Sequence, residues 1–312
     1  MKNLYYICNL LAGKAEMASH LSLVIDKLTK AGFEVTIHPT QAPQDATRMA
    51  ALAADSGKYD YMLCSGGDGT LNETLTGLMQ AKRHIPLGYI PCGSVNDFAR
   101  SIGIPRDIPA AVDAVLDSRP RRFDLGTVNG RVFNYIAAFG AFTDVSYETP
   151  QSAKNVIGPV AYFLNAATKL PNIRPYPMRV TIDGQVFEDS FIFGMVTNAA
   201  SVGGVLDIND FQFDDGSFEI TLIKQPDSAL DLRSTVRFLR DIHEIGENEN
   251  VICLRGSDIT IEVLEDVQVP WTVDGEYLEN SSVFHIIDHQ QAVSLLVPHS
   301  FVGTAFFQEP EE

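Results

Sequence analysis

The stretch Tyr59–Glu73, YDYMLCSGGDGTLNE, leaves a chain few ways to fold around it. Tyr61–Cys64 is a short apolar run of β-compatible residues, which predicts a buried strand. Gly66, Gly67 and Gly69 then crowd three glycines into four positions. Thr70–Met79 follows with helical spacing, placing Leu71, Leu75, Leu78 and Met79 on one face. The glycines therefore sit at a strand-to-helix turn, where backbone N–H groups can approach a ligand with no Cβ in the way. A helix N-terminus adds unpaired donors and a positive dipole end, so the turn is suited to an anion such as phosphate. Asp68 inside that cradle would repel phosphate unless a cation lay between them, which points to Mg²⁺–phosphate. The alternative is a tight turn whose Asp caps the helix.

Strands and helices alternate on either side of this turn. Leu4–Asn9 reads as a strand, Glu16–Ala31 as a helix, Phe33–His38 as a strand with Thr40 just beyond it, and Gln44–Ala54 as a helix. Pro86–Ile90 is a further strand running into Pro91–Arg100, followed by a helix at Ile108–Leu116 and a strand at Arg121–Val128. Such alternation predicts a parallel sheet with helices on both faces, with ligands at the carboxyl ends of the strands. The loops after Asn9, His38, Cys64 and Ile90 meet at that edge.

Beyond Asn129 the pattern changes to short strands and turns: Arg131–Tyr135, Met178–Ile182, Val186–Val196, Ser217–Lys224, Ile252–Leu254, Ile259–Val263, Val267–Val273 and Val283–Ile287. Asp183-Gly184 between alternating runs is a hairpin signal. Helices are expected near Ser152–Leu170 and Ser228–Ile245. The pattern predicts a parallel α/β domain followed by a mostly antiparallel β domain from about Asn129 to His289. Val293–Val297 forms a last strand whose partner the pattern leaves open.

Charge and cysteines narrow the function classes. A formal charge of −17 over 312 residues disfavours nucleic acid and broad adhesion to anionic membrane. No apolar stretch is long enough to span a bilayer, which predicts a cytoplasmic protein without a transmembrane segment. Cys8, Cys64, Cys92 and Cys253 are scattered, so buried reduced thiols are expected over disulfides or zinc.

Together these motifs resemble the bacterial soluble diacylglycerol kinase-like lipid kinases, the family with the diacylglycerol kinase catalytic domain. Gly66–Glu73 (GGDGTLNE) matches the family's core motif, and Gly93–Arg100 (GSVNDFAR) its second motif, with Ser94 where Thr is usual. Asn9–Gly13 (NLLAG) resembles the first nucleotide loop, with Leu10 in place of Pro and Ala15 in place of a second Gly. Asp214-Asp215-Gly216 resembles the structural metal loop, and Asp274-Gly275-Glu276 the motif carrying the catalytic base. The resemblance covers nearly the whole chain and implies an α/β nucleotide-binding domain over 1–128 and a mostly antiparallel, β-sandwich-like lipid-substrate domain over 129–292, with Val293–Phe307 (about 293–312 as the segment's bounds) returned to the first domain.

The resemblance implies ATP- and Mg²⁺-dependent transfer of the γ-phosphoryl group to a lipid hydroxyl, most simply diacylglycerol to phosphatidic acid, during transient peripheral contact with a membrane surface. Asn9, Gly13, Gly66, Gly67, Gly69, Thr70 and Leu71 would form the phosphate loops, and Asp68 would organise catalytic Mg²⁺. Thr40, Asn72 and Ser94 would add polar contacts to ATP, with Asn96 and Asp97 either joining them or capping the following helix. Asp274 is the first choice of base and Glu276 the second, against a plain Asp-Gly hairpin turn. The Asp215 carboxylate and the backbone oxygens of Gln212 and Ser217 would hold a structural Mg²⁺. Phe139, Phe142, Phe191 and Phe193 are candidates for an acyl site or for core packing. A homodimer is left open. The competing readings are a phosphotransferase like the NAD kinases or 6-phosphofructokinases acting on a soluble acceptor, and a non-catalytic nucleotide- or lipid-binding relative.

Overall fold

The computed structural model describes residues 1–13, 16–93, 96–140, 174–199, 201–202, 206–207, 212–228, 231, 234–235 and 248–302. The chain divides into two units, Met1–Leu125 with Gln212–Asp215 and Gln290–Glu312, and Gly126–Phe211 with Gly216–His289. The helices expected at 152–170 and 228–245 lie outside the described residues, save for Ser228, Asp231, Ser234 and Thr235.

In the first unit, β1 (Lys2–Cys8), α1 (Glu16–Lys30), β2 (Phe33–Pro39), α2 (Asp45–Asp55), β3 (Tyr61–Gly66), α3 (Asp68–Gln80), β4 (Leu87–Pro91), α4 (Asp97–Ser101) and α5 (Ile108–Leu116) follow one another. The strands are all parallel in the order β2–β1–β3–β4, with Cys8 opposite Pro39 and Ser65, and Gly66 opposite Pro91. Every residue of β3 after Tyr61, and all of β4, is buried, as a parallel sheet covered on both faces requires. Helix α1 buries Met17, Val24 and Leu28. Asp107 caps α5, its carboxylate accepting the Ala110 N–H at 3.0 Å, with Pro109 in the first turn. The chain turns from one side of β1 to the other between β2 and β3, so the ends of β1 and β3 flank the point where such sheets bind ligands.

The second unit is antiparallel. β5 (Ser118–Val128) runs into it and is followed by β6 (Arg131–Phe133), β7 (Ile136–Gly140), β8 (Tyr176–Ile182), β9 (Gln185–Thr197), β10 (Ser201–Val202), β11 (Leu206–Asp207), β12 (Phe218–Lys224), β13 (Val251–Gly256), β14 (Asp258–Val263), β15 (Trp271–Val273), β16 (Glu276–Leu278) and β17 (Val283–Pro298). The first half of β9 pairs with β8, β8 with β14, and β14 with the start of β17. Its second half pairs with β7 on one side and β12 on the other, extending to β15, β16 and β13. One long strand thus serves two sheets that enclose a core including Phe139, Phe191, Phe218, Trp271 and Phe284. Trp271 stacks on Phe284 at 4.4 Å between centroids and tilts against Phe139 at 5.0 Å.

Several expected strands change. Val267–Val273 shrinks to β15, because Pro270 has no N–H to give a ladder. Arg131–Tyr135 stops at Phe133. β7 is an unbroken apolar run, IAAFG, which periodicity cannot separate from helix or loop. The runs Val283–Ile287 and Val293–Val297 are one strand of 16 residues, β17. Within it Gln291 takes φ 52°, and its N–H is accepted by the buried Asp124 carboxylate at 2.5 Å. From Gln290 onward the strand belongs to the first unit, where Leu295 pairs in parallel with Leu87. No helix among the described residues is long and apolar enough to cross a membrane.

Candidate functional site

The carboxyl edge of the first unit's sheet draws the three glycine-bearing loops together. The Asn9 N–H bonds the Ser65 carbonyl at 2.9 Å, the Cys92 N–H the Gly66 carbonyl at 2.8 Å, and the Thr40 N–H the Cys8 carbonyl at 2.9 Å. The Asn9 amide Nδ2 donates to Thr70 Oγ1 at 3.0 Å, and its Oδ1 accepts the Leu11 N–H at 3.0 Å. Gly13 has φ 59°, and a Cβ there would sit 2.3 Å from the Cys92 carbonyl oxygen. A Cβ on Gly93 would fall 2.6 Å from the Gly67 Cα. Backbone lies on backbone at this edge, and only glycine permits the approach.

Helix α3 begins here with Gly67 as N-cap and no side-chain cap. Its opening N–H groups are thus offered to a ligand, and its dipole favours an anion. Asp68 stands in the first turn, half-buried, with its Oδ2 accepting the Asn96 N–H at 3.0 Å. Asn96 is buried at φ 54°, and its side chain grips Gly93 twice, accepting the Gly93 N–H at 2.9 Å and donating to the Gly93 carbonyl at 2.6 Å. It makes no side-chain cap on α4. The Tyr89 hydroxyl donates to the Gly66 carbonyl at 3.1 Å, and burial, then the Asp68 charge, push the Tyr89 phenol well above its usual pKa. It is therefore a permanent donor under this loop.

The remaining expected nucleotide contacts are spread along this edge. Leu71 is in the core and its N–H is taken by the Gly67 carbonyl at 3.1 Å. The Asn72 carbonyl accepts the Thr76 hydroxyl at 2.8 Å. Thr40 lies in a loop fastened by two carboxylates. Asp45 accepts the Gln41 N–H at 3.0 Å and pairs with His38 Nε2 at 2.9 Å and Arg48 at 2.7 Å; these contacts, His38 first, lower its pKa to about 2. Glu73 Oε1 accepts the N–H of Gln44, which has φ 64°, at 2.9 Å. Ser94 and the side chain of Asp97 lie outside the described residues. Tyr89, Asp45 and Glu73 carry no ligand role from sequence reading; Glu73, the last letter of the core motif, is the one with a signal there.

In the second unit, Asp274 and Gly275 have φ 48° and 82° and join β15 to β16, a two-residue turn with both central residues left-handed. The Asp274 carboxylate accepts three backbone N–H groups, from Asn134 at 3.0 Å, Tyr135 at 3.1 Å and Ile136 at 3.0 Å. Glu276, the next residue but one, is exposed and pairs with Arg131 Nη2 at 2.6 Å, while Arg131 also donates to the Tyr277 carbonyl. Two further turns repeat the design. Asn129-Gly130 and Asp183-Gly184 have φ 47°, 84° and 45°, 86°. The Asp183 carboxylate accepts the N–H groups of Ser257 at 3.2 Å and Asp258 at 3.0 Å, and Asn129 Oδ1 accepts that of His285 at 2.8 Å.

Gln212, Asp215 and Ser217 follow one another around Gly216, whose φ is 80°. Phe213 ties the start of this loop to the first unit, stacked on Phe123 at 4.8 Å, with its carbonyl accepting the Asp124 N–H at 2.8 Å. Of the acyl-site candidates, Phe139 and Phe191 belong to the packed core, Phe193 faces away from it, and Phe142 lies outside the described residues.

The donor set at the glycine edge suits a hard cation held jointly with phosphate. No group of three or more His, Cys, Asp or Glu side chains gathers among the described residues, so no protein-only cage is built there. One carboxylate beside a row of backbone donors is the arrangement Mg²⁺ uses with nucleotide phosphates. All four cysteines are free, and burial pushes the Cys64 and Cys92 thiols up to about 12, which leaves them unreactive.

An α/β unit with a glycine-packed, uncapped helix start at its carboxyl edge, followed in the chain by an antiparallel β unit, fits the class of phosphotransferases. Residues 3–128 match the diacylglycerol kinase catalytic domain, and residues 140–296 match the YegS C-terminal NAD kinase beta sandwich-like domain. The diacylglycerol kinase of Bacillus subtilis strain 168 is 35% identical over 279 residues, 89% of this chain and 90% of its own. That of Staphylococcus aureus strain bovine RF122 is 35% identical over 274 residues, 87% of this chain and 85% of its own. A crystal structure from Bacillus anthracis, of a protein assigned as a diacylglycerol kinase, superposes with TM-score 0.81 at 26% identity, covering 96% of each chain. The chain belongs to the diacylglycerol kinase family of lipid kinases. Membership implies ATP as phosphoryl donor together with a divalent metal.

Proposed function

We propose that this enzyme transfers the γ-phosphoryl group of ATP, with Mg²⁺, to the free hydroxyl of diacylglycerol, during transient contact with a membrane surface. The observation that carries the reading is the uncapped start of α3 at the β1/β3 switch, with Asp68 in its first turn. The relatives' name, diacylglycerol kinase, supplies the acceptor.

In this reading the opening amides of α3 and the Asn9–Gly13 loop hold the phosphates, and Thr40, Asn72 and Asn96 line the nucleotide's approach. Asp68 would hold Mg²⁺, which when bound neutralises phosphate charge. Asp215, with the backbone oxygens of Gln212 and Ser217, would hold a second, structural Mg²⁺. The acceptor oxygen attacks the γ-phosphorus, the bond from that phosphorus to the bridging oxygen breaks, ADP leaves, and the hydroxyl proton passes to a carboxylate. Glu276 suits that last role better than Asp274. Three N–H donors occupy the Asp274 carboxylate, whereas Glu276 is exposed and paired with one arginine.

The test is ATP- and Mg²⁺-dependent phosphate transfer to a lipid panel in mixed micelles. Product on diacylglycerol, cut roughly a thousandfold by Asp68→Asn, whose amide oxygen can still accept the Asn96 N–H so that the melting temperature changes little, is the expected result. Transfer to NAD or to no lipid overturns the reading.

A further inference from the structure

The sheet β15–β7–β9–β12 has two buried faces. Trp271, Phe139, Val196 and Leu222 point into the sandwich core. The other face is fixed by register: Thr272 opposite Ala138, Ala138 opposite Met195, Met195 opposite Thr221. Paired residues share a face, so these four side chains form one row across four strands, with Ile136, Phe193 and Ile223 beside it. All seven are buried.

One group in the row is out of place energetically. The Thr272 side chain is 3% exposed and its Oγ1 has no hydrogen-bond partner. Its neighbours in the row, Ala138 and Met195, offer no partner of any strength. Three other buried threonines are paired, Thr74 with the Thr70 carbonyl at 2.8 Å, Thr197 with the Glu219 carbonyl at 3.5 Å and Thr127 with His289 at 3.0 Å, while Thr235 Oγ1, far from this row in sequence, shares the unpartnered state of Thr272. A buried hydroxyl left unpaired costs about 1–3 kcal/mol, and Val would fill the same space without that cost. Trp271 Nε1 is also unpartnered, but its ring is packed between Phe284 and Phe139, which accounts for the residue.

Position gives Thr272 a use. It lies two residues before Asp274 on a strand that ends at the carboxylate-bearing turn, about 7 Å along the chain. A face that is apolar at Ala138, Met195, Ile136, Phe193 and Ile223, with the Thr221 hydroxyl paired to Cys253 and Thr272 left as its unsatisfied donor, matches an amphipathic molecule that brings one oxygen and hydrocarbon together. We propose that Thr272 binds the acceptor lipid, its hydroxyl hydrogen-bonding an oxygen of the acylglycerol backbone beside the apolar row of Ala138, Met195 and Phe193. The inference rests on the phosphotransfer reading above and adds a residue that places the acceptor rather than the nucleotide.

The test compares Thr272→Val and Thr272→Ser in the full chain, with dioctanoylglycerol in mixed micelles as acceptor. Thr272→Val is expected to raise the lipid KM roughly tenfold, leave the ATP KM unchanged, and hold or raise the melting temperature, since no protein hydrogen bond is lost. Thr272→Ser, which keeps the hydroxyl, stays near the parent lipid KM. An unchanged lipid KM in Thr272→Val overturns the proposal. So does a fall in melting temperature with that variant, which would mean that the hydroxyl is already paired in the free protein, for example with a buried water. Parent protein inactive on every lipid is the distinct failure of the phosphotransfer reading itself.

Discussion

Both units of this protein turn sharply with glycine, and they use the turn in opposite ways. At the glycine edge of the first unit, Gly13, Gly67 and Gly93 let backbone approach backbone, and the start of α3 keeps its amides uncapped. In the second unit, Asn129-Gly130, Asp183-Gly184 and Asp274-Gly275 close hairpins, and each Asn or Asp side chain takes backbone N–H groups from elsewhere in the chain. The first kind of turn leaves a helix start without a side-chain cap, as the proposed phosphate site needs; the second ties distant backbone to the turn. Asp68 and Asp274 look alike as motif aspartates; Asp68 accepts one backbone N–H, from Asn96 in the neighbouring loop, and Asp274 accepts three, so the proposed reading puts Asp68 in the first class and Asp274 in the second.

The sharpest way to break that comparison is to set Glu276→Gln, Asp274→Ala and Asp183→Ala side by side. Glu276→Gln should lower kcat roughly a hundredfold or more with the melting temperature near that of the parent, because an exposed pair contributes little stability. Asp274→Ala and Asp183→Ala should both cost about 1–3 kcal/mol of stability in denaturant unfolding, each leaving backbone donors unpaired. Asp183→Ala should keep its kcat. If Asp274→Asn instead abolishes transfer while stability holds, Asp274 is the base and the two-class division fails.

Glycine replacements sharpen the same contrast at smaller scale. Gly93→Ala places a Cβ 2.6 Å from the Gly67 Cα, and should raise the ATP KM roughly tenfold and cost about 1–3 kcal/mol. Gly184→Ala meets nothing within 4 Å and has only its φ of 86° to pay for. It should lose about 1 kcal/mol and no activity. The smallest effect concerns Asp45, beneath the Thr40 loop. Its folded pKa is depressed from 3.8 to about 2, so it contributes stability that is present above pH 4 and lost as pH falls toward 2. Melting temperature should therefore fall more steeply across that window in the parent than in Asp45→Asn.

The glycine edge was legible in sequence because its chemistry is contiguous: strand, glycines, Asp68 and helix occupy fifteen adjacent letters. Helices α1, α2, α3 and α5 and strands β1–β4 followed from local periodicity for the same reason. What stayed hidden depends on contacts distant in sequence. Asp274 could be read as a turn residue or a base; that its oxygens reach Asn134–Ile136 is decided by how β7 and β15 pair. The attachment of Gln212–Asp215 to the first unit rests on Phe213 meeting Phe123, which no window of sequence contains. β17 read as two strands because Asp288–Gln291 is polar, and its continuity across that stretch is a property of the folded strand.

The parallel pairing of Leu295 with Leu87 has a consequence for how the chain comes into being. A ribosome delivers β4 about two hundred residues before the strand that completes its flank, so the nascent first unit waits with an open sheet edge while the whole second unit is made. The same reasoning applies to a fragment ending at Val128, which would hold every residue of the catalytic-domain match and still lack the strand beside β4. Such a fragment should aggregate or unfold on its own, and the kinase should complete its first unit only at the end of synthesis.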